Sequence, residues 1–441
     1  MEQPRPHEGQ SDVSVLHQAL VDKLKADGHI HSTGVEAAFR AVPRHVFVPG
    51  MALETVYSDV HIVTKEREGH GLSSSSQPAI MAIMLEQLEL HPGQRVLEIG
   101  AGTGYNAALM AHLVGDTGHV VTIDIDDDIV ADARDHLRAA GFEQVHVVRG
   151  DGGRGYPAAA PYDRIVLTVG AADIAPAWWQ QLAAGGRLVL PLELTPLALK
   201  NNVHALLTFD RADGYLESAA IHACGFLPLR GSFASGREGL VSLGAEPGLT
   251  LVTAIPVDAD AIYAVLTGPH RDSSTGIRVM PREVGGICLW LAMREPRFCY
   301  LYAEGDLTKR GIVPFLAGDP STFISACGQC EPVTLCLLMS APDAVPASSQ
   351  PAYAEKPFDL MVRSFDSDAM LAQQLTEHVA VWDAAGRPFV WSQQWEMEGL
   401  RIRAYPQGTE YTPAANEAVI DKRSVRLVCA WQAETSFALD R

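Results

Sequence analysis

The stretch Val96-Leu97-Glu98-Ile99-Gly100-Ala101-Gly102-Thr103-Gly104 restricts the fold more than any other part of this chain. Four apolar or buried-strand positions run straight into a glycine-rich turn, and a helix over about Tyr105–Val114 is expected directly after it. Glycines at such a turn let the backbone approach a ligand that side chains would push away. The flanking sequence repeats the alternation. Strands are expected over His119–Asp124, Val145–Arg149, Tyr162–Thr168 and Arg187–Leu190, the last after a Gly185-Gly186 turn. Helices are expected over Asp127–Ala140 and Pro176–Leu182. Short apolar strands alternating with helices imply an α/β class, a mainly parallel Rossmann-like sheet with helices on both faces.

Upstream, Val15, Leu16, Ala19, Leu20 and Leu24 follow helical spacing within Val13–Lys25. A second helix fits Val35–Ala41, with Pro43 ending it, and a third fits Ala79–Leu90. Ser73–Ser76 reads as a polar loop closed by Gln77-Pro78. Ala205–Asp210 and Tyr215–Cys224 read as a hairpin around Ala212-Asp213-Gly214.

At 441 residues the chain exceeds one ordinary core, so more than one domain is expected. Residues 1–10 read as a disordered leader, 11–233 as the ligand-binding catalytic domain and 234–441 as a C-terminal α+β domain. In that last part strand-like pieces (Leu249–Ile255, Ile287–Leu291, Phe298–Leu301) mix with a helix over Ser367–Val381. Ala341–Lys356, rich in Pro, Ala and Ser, reads as an internal linker. No apolar run of membrane-spanning length and no secretion signal stands out, which points to a cytoplasmic protein with no membrane partner. A formal net charge of −19 weighs against nucleic acid as a partner. Seven cysteines, an odd number widely spaced, do not form a disulfide framework.

The glycine spacing discriminates between ligands. A dinucleotide fingerprint requires G-x-G-x-x-G with a pyrophosphate at the helix start. Here the pattern is G-x-G-x-G, preceded by Glu98, whose negative charge would repel a pyrophosphate. A cationic sulfonium carrying an amino-acid tail suits it better, which points to S-adenosylmethionine. Asp124, followed by Ile125, ends the next strand, where a carboxylate can accept from both ribose hydroxyls. Asp151 and Gly152 follow the third strand, where a carboxylate can accept from an adenine amino group. The expected cofactor set is therefore Glu98, Gly100, Ala101, Gly102, Thr103, Gly104, Asp124, Ile125, Asp151 and Gly152.

With these residues in view, residues 30–233 resemble the protein-L-isoaspartate O-methyltransferases. Val42-Pro43-Arg44-His45-Val46-Phe47-Val48-Pro49 is similar to the family's "VPRxxFVP" segment, and Ser76-Gln77-Pro78 to its "ISQP" loop. Gly150-Asp151-Gly152 with Phe226-Leu227-Pro228-Leu229 looks like its closing strand. The resemblance implies a class I methyltransferase fold, S-adenosylhomocysteine as the product of the donor, and Ser76 as the residue beside the transferred methyl that holds the substrate carboxylate. Ser74, Ser75 and Gln77 would line the substrate. Arg44 would either bind substrate or anchor its own loop.

The sequence departs from that pattern in two places. Ser73-Ser74-Ser75 replaces the usual Gln-Thr-Ile, and Ala79 stands where His or Tyr is common. About two hundred residues also follow the point at which those enzymes end. The serine loop, the stretch 167–179 and the long extra domain resemble methyltransferases of lanthipeptide and other ribosomal-peptide clusters. That branch implies methylation of an aspartate or isoaspartate side chain in a precursor peptide, leading to aspartimide or isoaspartate, with residues 234–441 recognising the peptide. General isoaspartate repair and a non-catalytic donor-binding scaffold are the competing expectations.

Other signals carry less. Cys327-Gly328-Gln329-Cys330 and nearby Cys336 lack the partners of a four-ligand zinc site, so no metal is expected. They read as buried cysteines, with metal and redox readings left open. His61 and His70 read as surface residues, and Trp178-Trp179 as packing.

Overall fold

The computed structural model describes residues 8–67, 70–194, 203–234, 239–245, 247–319, 323–341, 356–365, 369–389, 396–397 and 399–431. The chain divides into two compact units. One gathers Met1–Leu192, His204–Ala220 and Cys224–Ser235; the other gathers Glu193–Val203, Ile221–Ala223 and Gly236–Arg441.

The first unit opens with helices α1 (Glu8–Ala26), α2 (Thr33–Ala41) and α3 (Leu53–Val56). Helix α1 begins inside the stretch expected to be a leader; residues 1–7 lie outside the described residues. Its inward face is Leu20, Val21 and Leu24, whereas Val15 is exposed, so the apolar stripe is narrower than the spacing suggests. Ser32 caps α2 through the Val35 amide at 3.2 Å, and the helix stops before Pro43, whose ring cannot continue it.

Strands β1 (Ile62–Arg67) and β2 (His70–Ser75) form an antiparallel hairpin, followed by α4 (Pro78–Leu88). Three of the four serines expected to form a loop therefore belong to a strand. The chain then runs β3 (Arg95–Ile99), α5 (Tyr105–Val114), β4 (His119–Asp124), α6 (Asp127–Ala139), β5 (His146–Arg149), β6 (Tyr162–Leu167) and α7 (Pro176–Gln181). It closes with β7 (Leu182–Leu192), β8 (Val203–Arg211) and β9 (Leu216–Gly225). The sheet order is β9-β8-β7-β6-β3-β4-β5, with β5, β4, β3, β6 and β7 parallel and β8 antiparallel to β7.

Strand β7 is longer than expected and contains Gly185-Gly186 rather than following them. Pairing with β6 slips between Leu182 and Arg187, and Gly185 takes φ +68°, so the glycines form an irregularity within the strand instead of a turn before it. Apolar residues of β3 (Val96, Leu97, Ile99) and α5 (Ala107, Ala108, Leu109, Met110) are buried in full, as a sheet covered on both faces requires.

The second unit is mainly antiparallel. Its strands are β10 (Leu240–Ser242), β11 (Leu249–Thr253), β12 (Arg271–Val279), β13 (Phe298–Glu304), β14 (Ala317–Asp319), β15 (Phe323–Glu331), β16 (Thr334–Ser340) and β17 (Phe358–Ser364). They form a sheet ordered β10-β11-β13-β15-β16-β17-β12, with β14 alongside β15. Helices α8 (Ala259–Leu266), α9 (Val284–Arg294) and α10 (Ala369–Ala384) accompany it. Strands β18 (Leu400–Pro406), β19 (Glu417–Asp421) and β20 (Val425–Trp431) pair in the order β19-β20-β18.

One element differs in kind from its expectation. Ile287–Leu291 is not a strand but the middle of α9, where Ile287, Leu289, Trp290 and Leu291 are all buried. A short run that is apolar on every side has no period to distinguish helix from strand. The linker expected at Ala341–Lys356 lies almost wholly outside the described residues. Among the described residues no helix is long and apolar enough to cross a membrane.

Candidate active site

The strand order reverses between β3 and β6, and open α/β sheets place ligands in the crevice beyond the strand ends at such a switch point. Gly100 and Thr168 stand on its two sides. A Cβ at Gly100, whose φ is +104°, would lie 2.6 Å from Thr168 Oγ1, and the Thr168 hydroxyl donates to the Gly100 carbonyl at 2.6 Å. Gly100 and Ala101 amides both donate to the Ile123 carbonyl, at 2.8 and 3.0 Å. Gly104 takes φ +87° where α5 starts and abuts Leu137 and the Ala133 carbonyl of α6. The turn is thus shaped by the protein itself, with its backbone bonded to β4 and β6.

Asp124, at the end of β4, reaches into this turn. It accepts from the Gly102 amide at 3.2 Å and from the Ile125 amide at 2.8 Å. Burial raises its pKa despite these amides and the Arg230 guanidinium, 3.9 Å away. Next to it, Asp126 accepts from Arg230 at 3.0 Å and from Lys65 of β1 at 3.2 Å; the Arg230 bond is the main reason its pKa is lowered. These pairs fasten the β1–β2 hairpin to the end of β4.

Glu98 is fully buried beneath the turn. Its two oxygens accept from Asn106 of α5 at 2.7 Å and Thr122 of β4 at 2.6 Å. Burial pushes its pKa up to about 7, which outweighs those two donors. Burial thus leaves only part of the negative charge expected to repel a pyrophosphate at neutral pH. Glu98 instead ties β3, β4 and α5 together.

Asp151 sits where it was expected, after β5, and accepts from Gly153 N and Ser232 N at 2.9 Å each. Gly152 is pressed on Ile99, at 2.4 Å for a Cβ, and its carbonyl accepts from Trp178 Nε1 at 2.8 Å. Trp178 is completely buried, in keeping with packing.

The serine segment lies directly against the glycine turn. A Cβ on Gly102, whose φ is +50°, would come within 3.3 Å of the Ser74 carbonyl. Strand alternation separates the serines: Ser73 and Ser75 are buried, while Ser74 and Ser76 are partly exposed. Ser75, expected to line the substrate, is buried, and its hydroxyl lies 3.4 Å from Arg44.

Arg44, expected either to bind substrate or to anchor its own loop, is bonded to nearby backbone. Its side chain is wholly buried, and its guanidinium donates to the carbonyls of Val56, Ser58, Val60, Ser75 and Ser76, at 2.9, 3.3, 3.1, 3.4 and 2.9 Å. Planar, multiply donating arginine suits several converging carbonyls in a way lysine would not. Gln77 and the first turn of α4 are held by Asp59, which accepts from Gln77 Nε2 at 2.9 Å and from Ala79 N at 2.8 Å. Sequence reading did not single out Asp59, Asn106, Thr122, Thr168 or Lys65; each acts across a chain separation that local patterns do not record.

Residues 15–234 match the family described as protein-L-isoaspartate(D-aspartate) O-methyltransferase. The protein-L-isoaspartate O-methyltransferase of Hyperthermus butylicus is 39% identical over 222 residues, 48% of this chain and 88% of that protein. The chain belongs to the protein-L-isoaspartate O-methyltransferase family. The Methanopyrus kandleri member is 38% identical over 215 residues, 48% of this chain and 91% of that protein. Among solved structures, one titled protein-L-isoaspartate O-methyltransferase aligns over 88% of this chain and 96% of its own, at 23% identity and a TM-score of 0.47. A Plasmodium falciparum structure titled as a putative member in complex with S-adenosyl-L-homocysteine aligns over 48% of this chain at 19% identity and a TM-score of 0.40.

Membership makes the protein an S-adenosylmethionine-dependent O-methyltransferase, of a family that acts on isoaspartate-bearing proteins. The residues present fit that donor. Gly100, Gly102 and Gly104 take positive φ around the switch-point crevice, and the raised pKa of Asp124 marks a carboxylate whose hydration has been stripped. The family match ends at residue 234, and the relatives' matches cover about half of this chain.

Proposed function

We propose that this methyltransferase esterifies the side-chain carboxylate of an aspartyl or isoaspartyl residue in a ribosomally made precursor peptide, and that the second unit recognises the peptide. The observation that carries the reading is the Ser74–Ser76 segment, pinned by Arg44 and set against the glycine turn at Gly102. The bound donor supplies an electrophilic methyl on a sulfonium. Glu98, Gly100, Ala101, Gly102, Thr103, Gly104, Asp124, Ile125, Asp151 and Gly152 are assigned to that donor, with Glu98 acting through the turn it braces.

A carboxylate is already ionised at neutral pH, so it needs a donor to orient it and no general base. The partly exposed Ser76 hydroxyl is assigned that role, with Ser74 and Gln77 beside it. The carboxylate oxygen forms a bond to the methyl carbon as the carbon–sulfur bond breaks, and the electron pair stays on sulfur. The ester then loses methanol when the following backbone nitrogen attacks it and gives up its proton. The product is a five-membered imide, and water opens it to aspartate or isoaspartate.

General methylation of isoaspartyl proteins is a second reading, favoured by a match that covers 88% and 91% of relatives bearing that name. Mass spectrometry of peptides incubated with enzyme and donor separates the two. The first reading expects a CH2 gain, then loss of methanol, on an aspartyl precursor and little turnover of arbitrary isoaspartyl peptides; the reverse pattern selects the second. Ser76→Ala should lower kcat/KM about 10–100-fold, the worth of one hydrogen bond to a charged group. Unchanged turnover would remove Ser76 from the reaction.

A further inference from the structure

The second unit contains an arginine that meets no anion among the described residues. Arg294, the last residue of α9, places its guanidinium carbon 4.0 Å from the ring centroid of Trp290 and 4.8 Å from that of Trp431. The two indoles meet edge to face, with centroids 5.1 Å apart, and Phe389 closes the cluster 5.8 Å from Trp431 and 6.3 Å from Trp290. Stacking of this kind holds a guanidinium by its faces and leaves its N–H edge, which lies in the plane, free to donate.

Two donors in this cluster are buried with no acceptor, Arg294 Nε and Trp290 Nε1. An unpaired buried donor costs about 1–3 kcal/mol, and two of them on adjacent turns of one helix call for an acceptor that the described residues do not supply. The nearest acid in sequence does not serve. Glu295 is buried and accepts from Arg297 at 2.8 and 3.1 Å, Gln329 at 2.5 Å and His378 at 3.1 Å. Burial is the one influence on the Arg294 pKa, which it lowers; no carboxylate pulls it back. The backbone is also strained at this place: Phe389, a bulky residue, takes φ +74° and Arg387 takes φ +55°. Such conformations persist where the surrounding structure demands them, and they gather at ligand clamps.

We infer that Arg294 and Trp290 form a carboxylate-binding site for an acidic peptide segment. The planar N–H edge of arginine matches the two oxygens of a carboxylate, and the aromatic walls exclude the water that would otherwise compete. Identifying that segment as part of the methylation substrate rests on the proposed function above; the binding of a carboxylate peptide does not.

The test is the indole N–H resonance of Trp290 in the full-length protein, assigned by comparison with Trp290→Phe, titrated without methyl donor. The probes are a blocked Asp-Gly repeat peptide, its Asn-Gly counterpart and inorganic phosphate. A saturable shift with the Asp peptide alone, weakened about tenfold or more in Arg294→Gln and in Arg294→Lys, supports the site. No saturable shift in the wild-type protein overturns it, whatever the variants do. A shift with phosphate but not with the Asp peptide also overturns it. The same titration in Ser76→Ala separates this inference from the catalytic reading. An intact shift there with no methylation locates any failure in the first unit, and methylation by the wild type with no shift locates it here.

Discussion

The surroundings of Arg44 and of Arg294 solve one problem in opposite ways. Arg44 is wholly buried and Arg294 partly so, and burial lowers the pKa of each. Arg44 then donates to five backbone carbonyls and holds the loop on which the serines sit. Arg294 has two aromatic faces and no acceptor among the described residues. The terminal nitrogens of the first arginine are met by its own fold, although its Nε is not, and its removal would orphan several carbonyls. The second lacks an acceptor for its Nε among the described residues, which leaves it open to an anion from elsewhere. Burial of a charge therefore says little about role until its partners are counted.

The sharpest way to break that comparison is Arg44→Met. Several converging carbonyls would lose a charged donor, with an expected loss of about 3–4 kcal/mol in unfolding free energy. Urea midpoints at constant slope measure it; a loss under about 1 kcal/mol would mean that water replaces the guanidinium without penalty.

Next in size is the buried acid of the first unit. With Glu98 raised to about 7 from 4.5, the folded chain retains a proton that the unfolded chain has released. The sign follows: stability is highest below the unfolded value and declines as pH climbs from 4.5 to 7, by up to about 3 kcal/mol. Glu98→Gln should flatten that decline, read as the difference between the two proteins' unfolding curves at successive pH values. Parallel curves would show that Glu98 is ionised in the fold.

The smallest effect is expected for Arg294→Met. Replacement of a charge that lacks an ionic partner by a side chain of similar length should change stability by less than about 1 kcal/mol in either direction. A cost equal to that of Arg44→Met would show that Arg294 is a structural anchor too.

The two regions also differ in how readable they were. The glycine turn, the strand–helix alternation and the acids at successive strand ends are local patterns, and β3, α5 and β4 fall where spacing placed them. The roles of Glu98, Ser75 and Arg44 were not local. Each was settled by partners far along the chain: Thr122 lies 24 residues from Glu98, and Ser75 lies 31 from Arg44. In the second unit the aromatic cluster is of that kind. Trp290 meets Trp431 across two separate elements, and α9 is apolar all round, so neither periodicity nor motif could reveal the cluster. The CxxC illustrates the same limit: Cys327 and Cys330 lie in β15, three positions apart on a strand, and so face opposite ways, toward Cys288 at 3.0 Å and Thr253 at 3.1 Å.

Because the serines belong to a pleated ribbon and not a floppy tether, their tolerance to replacement should rise and fall like a sawtooth. Bulkier residues at 73 and 75 would spoil solubility and yield, whereas changes at 74 and 76 would leave a well-made protein with altered appetite for its acceptor. A family adjusting which peptides it modifies thus has only every other tooth free to file.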